Sequence, residues 1–238
     1  MMSLKRKSVT IHQPNFLPWI GYFEKIDMVD LFIILDDVQY KKNDFINRNR
    51  IRQKNSIIWL TVPVHFHFPE EINKVLIAEN EEWIEKITKT INLLYRGRPF
   101  FNDYFPEFES IMLGKWKFLC DLNIELINWF CRCLEIKTEF AKASKFNIKE
   151  QKTERLLKLL EATQATDYFC GQGARNYLKK ERFDAIKLHW QEFKHPVYDQ
   201  GLTPFISHLS AVDILFNHGR ESMNIIRSGR DWSENEQE

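Results

Sequence analysis

The feature that most constrains the fold is a pair of short apolar runs, residues 9–11 and 31–35, each typical of a strand. A helix-like stretch lies between them. The second run is apolar at every position, which is typical of a strand covered on both faces in a parallel sheet. Between the runs, residues 21–28 place Tyr22 and Ile26 on one face of a helix. Strand, helix and buried strand form a βαβ unit, and this unit predicts an α/β fold on a parallel sheet.

The rest of the chain alternates strand-like and helix-like stretches around a mainly helical middle. Further strands are predicted at residues 57–64, 72–78, 138–143, 168–170 and 186–193. Helices are predicted at residues 81–94, 105–118, 122–136, 154–163, 174–183 and 210–217. We therefore predict a Rossmann-like parallel sheet with a nucleotidylyltransferase-like layout. Its discontinuous α/β domain would comprise residues 1–78 and 137–238, with a helical insertion at residues 79–136.

Composition restricts the partners and the compartment. The chain has 34 lysines and arginines against 33 acids, so no bulk charge favours a nucleic acid. Its apolar runs are too short to cross a bilayer, which predicts no membrane insertion. The basic start is not followed by a signal-peptide core, because Pro14 and Asn15 interrupt the apolar residues. Four cysteines without paired spacing predict no metal site and a reduced, cytoplasmic protein.

Polar residues follow the first strand at the edge where ligands of parallel sheets collect. His12, Gln13 and Asn15 come directly after the strand, and Gly21 and Tyr22 open the next helix. A helix N-terminus attracts anions, and the histidine and amide side chains can donate hydrogen bonds. The alternative is a rigid, capped turn with no ligand.

An acidic pair, Asp36 and Asp37, follows the second strand, with Gln39 close behind. A carboxylate at a strand end can bind a metal, orient a hydroxyl group or act as a base. Adjacent side chains of an extended chain point in opposite directions, so one of the two at most would face a site. The alternative is an aspartate that caps a turn beside a solvated neighbour.

Three further groups are candidate ligand contacts. The first is Asn47, Arg48, Asn49 and Arg50, where guanidinium groups suit phosphate or carboxylate and amides suit sugars. The second follows the strand at residues 168–170, where Gly171 permits close backbone approach and Arg175 supplies charge. The third is His208, before the helix at residues 210–217. The alternatives are a solvated basic face, a plain strand-to-helix turn and an ordinary helix start.

Several stretches of this sequence, taken in order, resemble the motifs of one bacterial protein family. They read QPNFLPWIGYFEKIDMVDLFIILDDVQYKKNDFINRNRIR, WLTVPV, KTERLLKLLEATQATDYFCGQGARNYL and LSAVDILFNHG, and together they resemble the WbqC-like family over residues 9–222. The polar residues shared with the family fall on Gln13, Asn15, Tyr22, Asp36, Asp37, Gln39, Asn47, Arg48, Asn49, Arg50, Lys152, Thr153, Gly171, Ser210, Asp213, Asn217 and Gly219. His12 often differs in relatives, and so do the residues around Gly173.

The resemblance implies a role in making O-antigen or a related surface polysaccharide. The function expected from it is transfer of an acyl or aminoacyl group, such as glycyl, to a nucleotide-linked amino sugar. The cofactor expected for such a transfer is either ATP or an acyl donor such as acyl-coenzyme A. The catalytic candidates are Asp36, Asp37, Tyr22 and His12. The substrate-binding candidates are Gln13, Asn15, Gln39, Asn47, Arg48, Asn49, Arg50, Gly171, Arg175 and His208.

Two alternatives remain at this stage. One is a nucleotidylyltransferase-like enzyme that uses a divalent metal at Asp36 or Asp37. The His-x-Gly-His turn of such enzymes is absent, because Pro18 to Tyr22 contains no histidine. The other is a non-catalytic module that binds a nucleotide sugar within the pathway.

Overall fold

A computed structural model describes residues 6–80, 82–176 and 178–234. The strands are β1 (Ser8–His12), β2 (Leu31–Ile34), β3 (Arg48–Gln53), β4 (Ser56–Thr61), β5 (Val64–His65), β6 (Leu76–Ile77), β7 (Glu139–Lys142), β8 (Asp167–Cys170), β9 (Lys187–Gln191) and β10 (Trp232–Glu234). The α-helices are α1 (Ile20–Asp27), α2 (Glu82–Tyr95), α3 (Phe101–Met112), α4 (Leu119–Cys133), α5 (Lys152–Ala162), α6 (Val212–His218) and α7 (Ser222–Ser228).

The central element is a six-stranded sheet in the order β7-β2-β1-β8-β9-β10. Its neighbours are parallel except at one edge, where β10 runs antiparallel to β9. Val9 of β1 lies opposite Leu31 on one side and Tyr168 on the other. All four residues of β2 are buried, as their continuous apolar run predicts. The predicted α/β class and its mainly parallel sheet are confirmed.

The strand order reverses direction at β1. The chain proceeds from β1 to β2 and β7 on one side, and then to β8 and β9 on the other. The connections that leave β1 and β8 therefore diverge, which opens a crevice between the carboxyl ends of these two strands.

Helix α1 is enclosed on all sides rather than on one face. Tyr22 and Ile26 lie in the main hydrophobic cluster, as their spacing predicts. Glu24 is also fully buried. Its carboxylate accepts hydrogen bonds from Arg230 Nε at 3.0 Å, Trp232 Nε1 at 2.8 Å and Gln191 Nε2 at 2.6 Å. The C-terminal part of the chain thus covers the face of α1 that sequence periodicity assigns to solvent.

Helices α2, α3 and α4 occupy the middle segment, where helices are predicted. The predicted start at Glu81 lies outside the described residues. These helices share one hydrophobic cluster with α1 and α6, while α5 packs in a second cluster. Asn123 of α4 is fully buried and donates to the carbonyls of Pro14 at 2.9 Å and Ile46 at 2.7 Å. The middle segment therefore supports the loop after β1, and its separation as an insertion remains a prediction.

Several predicted element bounds are wrong, for local reasons. The strand predicted at residues 57–64 is two strands, β4 and β5, because the chain turns at Val62 and Pro63. The strand at residues 72–78 is a 3-10 turn (Ile72–Lys74) followed by the two-residue β6. The helix at residues 174–183 is two 3-10 turns, Gln172–Asn176 and Lys180–Arg182, and residue 177 lies outside the described part.

A strand forms where only a polar segment is expected. β3 pairs antiparallel with β4 in a separate two-stranded sheet. Two of its buried residues, Asn49 and Arg52, are polar, so its sequence lacks the apolar alternation of a half-buried strand. Along residues 6–80, 82–176 and 178–234, no helix is long and apolar enough to cross a membrane.

Candidate functional site

A cleft of about 700 Å³ lies between the carboxyl ends of β1 and β8, and we call it the β1–β8 cleft. Its polar lining residues are His12, Gln13, Asn15, Lys25, Lys41, Asp44, Asn49, Arg50 and His208. Its other lining residues are Ile11, Trp19, Phe45, Tyr168, Gly171, Gly173 and Ala174. Seven of the sequence-predicted site residues meet here: His12, Gln13, Asn15, Asn49, Arg50, Gly171 and His208.

His12 ends β1 with a neutral ring of defined orientation. Its Nδ1 lies 3.0 Å from the carbonyl oxygen of Gln13, and because a carbonyl only accepts, Nδ1 carries the proton. Burial, followed by the charge of Lys25, lowers the pKa of His12 to about 3. The Nε2 atom is therefore an unprotonated acceptor. Tyr22 packs edge to face on the ring at 4.9 Å and donates its hydroxyl to the same carbonyl at 3.0 Å.

Tyr22 lies beneath the cleft rather than in its wall. Its side chain is almost fully buried, and burial raises its pKa well above the ordinary value. The phenol is therefore a neutral donor, and its proton is engaged by the backbone. In this position Tyr22 orients His12 and the start of the following loop.

Asn49 fixes the loop that carries Gln13 and Asn15. Its Nδ2 donates to the carbonyls of Phe16 at 3.2 Å and Leu17 at 2.8 Å. Leu17 has a φ of +43°, a left-handed conformation that an L-residue adopts only when its surroundings hold it there. The amide side chains of Gln13 and Asn15 make no hydrogen bond with any described residue. They are available to a ligand in the cleft.

Arg50 and an aromatic pair form the opposite wall. The Nε atom of Arg50 donates to the carbonyl of His208 at 3.0 Å, and the rest of the guanidinium makes no hydrogen bond within the described residues. The ring of His208 stacks on Trp19 at 5.2 Å, with 19° between the planes. Burial and then the charge of Arg50 lower the pKa of His208. A methyl group on Gly21 would collide with the indole, so glycine allows Trp19 to fold over the helix start.

Lys25 lies at the base of the cleft, on α1. Its side chain is 4% exposed, and it makes no hydrogen bond or ion pair with a described residue. Burial lowers the pKa of its amine to about 8. A Cβ atom placed on Gly171 would lie 3.5 Å from the Lys25 Nζ, so the glycine leaves open the space in front of the amine.

The charges of the β1–β8 cleft favour an anionic ligand. Lys25, Lys41 and Arg50 contribute positive charge, against the single carboxylate of Asp44. Lys41 and Asp44 form a loose pair at 3.8 Å on an exposed part of the rim. The inner charges are therefore Lys25 and Arg50, with the neutral amides between them. Such an arrangement suits a phosphate or carboxylate that is attached to a polar, hydroxylated body.

The acidic pair lies elsewhere, and both members have protein partners. The carboxylate of Asp36 accepts hydrogen bonds from the backbone N–H of Ser144 at 2.9 Å and from its hydroxyl at 2.7 Å. Asp37 forms a largely buried ion pair with Arg155 at the start of α5. Asp37 and the exposed Gln39 line a separate cleft of about 790 Å³ near the ends of β2 and β7, the β2–β7 cleft.

The remaining predicted contacts are also engaged outside the β1–β8 cleft. Asn47 is buried and donates to the carbonyl of Val62 at 3.0 Å. Arg48 donates to the carbonyl of Asn43 at 2.5 Å and lies over the Trp59 ring at 4.5 Å. Arg175 pairs with the carboxylate of Glu192 at 2.8 Å, donates to Ser233 Oγ at 2.9 Å and lies over the Trp190 ring. These contacts hold the fold together.

Sequence reasoning missed Lys25, and it missed Trp19, on which the predicted His208 stacks. A lysine in a helix normally indicates the solvent face, and here that face is covered by residues from distant parts of the chain. One sequence signal could have indicated Trp19. This tryptophan lies directly before the helix that follows β1, and that helix has a glycine, Gly21, in its first turn. In the described part of the chain, no three His, Cys, Asp or Glu side chains converge as a metal site would require.

The fold and the cleft define a class: an α/β protein with a cationic, amide-lined cleft where the strand order of its sheet reverses. The WbqC-like protein family matches residues 13–225, and the chain belongs to this family. It is also 35% identical, over 227 residues, to the uncharacterized protein Rv1507c of Mycobacterium tuberculosis. That similarity covers 93% of this chain and 98% of the relative. The family expectation drawn from the sequence motifs is confirmed.

Proposed function

We propose that the protein is a transferase of surface-polysaccharide biosynthesis that acts on a nucleotide-linked amino sugar. It adds an acyl or aminoacyl group, such as glycyl, to the amine of the sugar. The observation that carries the proposal is the β1–β8 cleft, in which Lys25 and Arg50 flank free amide groups. The guanidinium of Arg50 suits a diphosphate, the amine of Lys25 lies free at the base of the cleft, and the amides of Gln13 and Asn15 suit sugar hydroxyls.

The position of the cleft supports nucleotide binding. Numbered by their order along the chain, the parallel strands of the sheet follow the order 3-2-1-4-5 from β7 to β9. In Rossmann-like sheets of this order, nucleotides bind where the direction reverses, outside the strand carboxyl ends. The diphosphate would lie near Arg50, and the Trp19–His208 stack offers an aromatic surface to the sugar or the base.

In the proposed reaction, the amine nitrogen of the sugar attacks the carbonyl carbon of the acyl donor. A C–N bond forms, and the bond between the acyl carbon and its leaving group breaks. With acyl-coenzyme A the leaving group is the thiolate, and with an ATP-activated amino acid it is AMP. The nitrogen loses one proton, so the site requires a base and donors for the developing oxyanion.

Mass spectrometry of the sugar tests this function. Purified protein is incubated with nucleoside diphosphate amino sugars and with either acyl-coenzyme A or ATP plus glycine. The expected result is a sugar nucleotide heavier by one acyl or glycyl group, only when protein and donor are both present. An Arg50→Gln variant should lose the product, whereas Lys149→Gln, in the β2–β7 cleft, should retain it. Unchanged sugar nucleotides with every donor would contradict the proposal.

Nucleotidyl transfer is the second candidate, because the strand order suits it equally well. That reaction releases pyrophosphate from a nucleoside triphosphate, whereas transfer from acyl-coenzyme A releases none. A pyrophosphate assay with a sugar phosphate acceptor and no acyl donor therefore distinguishes the two functions. Aminoacyl transfer with ATP also releases pyrophosphate, but only when the amino acid is present.

A further inference from the structure

Unlike the other charged groups of the β1–β8 cleft, the amine of Lys25 makes no hydrogen bond or ion pair with any residue that the structure describes. The carboxylate of its neighbour on the helix, Glu24, accepts hydrogen bonds from Arg230, Trp232 and Gln191 instead. Lys25 is 4% exposed, and no described residue accepts a hydrogen bond from it. A buried ammonium without a partner is unfavourable, and proteins almost always pair one. We therefore expect the free amine at the base of the cleft to bind a ligand or to take part in a reaction.

The surroundings of Lys25 keep it available as a base. Its burial opposes the protonated form and lowers its pKa to about 8. The nearby His12 is held neutral by burial and by the lysine charge, so it does not compete for protons near neutral pH. Among the described residues, the other titratable groups around the cleft are Tyr22 and Glu24 on α1, Tyr168 and Cys170 on β8, Lys41 and Asp44 after β2, Arg50 on β3 and His208 before α6.

We propose that Lys25 is the base that takes the proton from the acceptor amine when the acyl group is transferred. This inference rests on the proposed function and adds a catalytic residue to it. As the new C–N bond forms and the donor bond to the acyl carbon breaks, one proton passes from the sugar nitrogen to Lys25 Nζ. The resulting ammonium returns the proton to solvent after product release. Arg50 holds the anionic part of the substrate meanwhile.

Kinetics separate a base from a charge that merely anchors a phosphate. Lys25→Met should lower kcat by roughly 10²–10⁴-fold while changing the KM for the sugar nucleotide little. Lys25→Arg retains the charge but cannot accept a proton, so it should be as impaired. The wild-type kcat should rise with pH up to about 8 and then level off. In Lys25→Ala, added ethylamine should restore part of the rate.

Two kinetic results would overturn the inference while leaving the proposed function intact. One is a Lys25→Arg variant with nearly wild-type kcat. The other is a Lys25→Met variant whose KM rises at constant kcat. Either would show that Lys25 binds the substrate and does not move the proton.

A labelling experiment is independent of turnover. Pyridoxal 5′-phosphate, an aldehyde with a phosphate, fits the charge of the cleft and forms an imine with a neutral amine, which borohydride reduces. Peptide mass spectrometry should locate the label on Lys25 with a midpoint near pH 8, and uridine diphosphate should protect it. A wild-type protein that labels in this way but transfers no group would refute the proposed function, and with it the role of Lys25 in that reaction, while the low-pKa amine in the cleft would stand. An unlabelled Lys25, or a midpoint near the ordinary lysine value of about 10.4, would overturn the inference.

Discussion

Lys25 imposes a cost on folding that its proposed role explains. Its pKa falls from 10.5 to about 8 on burial, so the unfolded chain binds the proton more tightly than the folded chain. The folded state is therefore penalised below pH 8, by on the order of 3 kcal/mol. Between pH 8 and 10.5 the penalty disappears as the unfolded chain also loses the proton. Stability should thus rise with pH across this range.

Replacement of Lys25 by methionine should stabilise the protein. The unbranched thioether fills similar space without a charge, so the free energy of unfolding at pH 7 should increase by on the order of 1–3 kcal/mol. Urea unfolding at several pH values measures this, and the advantage of the variant should shrink between pH 8 and 10.5. A variant less stable than wild type at pH 7 would show that the ammonium has a stabilising partner.

Sequence reasoning recovered the cleft residues that follow strand ends and missed the one that is buried in a helix. His12, Gln13 and Gly171 were found because the carboxyl ends of parallel strands meet at one edge. Lys25 was missed because the residues that lie against its amine, such as Gly171 after β8, are more than 140 residues away along the chain. The periodicity of a helix does not indicate which of its faces are buried by residues that are distant in the sequence.

At the scale of elements, the link between the end of β2 and the start of α5 is the ion pair of Asp37 and Arg155. Both side chains are mostly buried, at 14% and 10% exposure, so neither charge is well solvated alone. Arg155 also donates to the carbonyls of Ile148 at 2.6 Å and Glu150 at 3.3 Å. The contacts of Asp37 are those of a residue that joins two elements, whereas the sequence makes it a candidate catalytic residue.

Asp37→Asn should destabilise the fold without removing catalysis. We expect a loss of about 3 kcal/mol in the free energy of unfolding, because the arginine is left as a buried unpaired charge. Adding Arg155→Met should cost less than the sum of the two single changes, since both charges are then gone. Specific activity of the folded Asp37→Asn protein tests the role directly. Wild-type stability with abolished turnover would favour the catalytic role that the sequence predicts.

The missed strand β3 illustrates why polar segments are hard to assign from sequence. Asn49 is buried because two loop carbonyls need a donor, and Asn123 is buried in α4 for the same reason. Their partners lie about 30 and 110 residues away along the chain. In the local sequence pattern, these buried asparagines are therefore seen only as polar interruptions of an apolar run.

At the scale of the whole molecule, the chain end closes over the helix that begins at the cleft. Arg230 pairs with both Glu24 and Asp27, and Trp232 of β10 donates to Glu24. Arg227 on α7 binds Asp27 through two hydrogen bonds, at 2.9 and 2.7 Å. The packing of α1, the helix that carries Lys25, therefore depends on β10 and on Arg227 and Arg230.

A chain that ends at Gly229 should lose stability and cleft function together. Glu24 would remain buried with Gln191 as its main donor, which should cost about 3 kcal/mol or more. The matched control ends at Glu234 and retains both Arg230 and Trp232. Adding Glu24→Gln to the shorter chain should recover part of the loss, because it removes the unpaired charge. Equal unfolding free energies for the two chains would contradict this account of α1.

The central claim is that the β1–β8 cleft, and not the β2–β7 cleft, binds an anionic nucleotide. Titration calorimetry with uridine diphosphate tests it most directly, using wild type, Arg50→Gln and Lys149→Gln. We predict binding to wild type that weakens with added salt, and a roughly 10- to 100-fold loss for Arg50→Gln, since a charged hydrogen bond contributes about 1.5–3 kcal/mol. Lys149→Gln should bind as wild type does. Weakened binding in Lys149→Gln with full affinity in Arg50→Gln, or no binding to wild type, would contradict the claim.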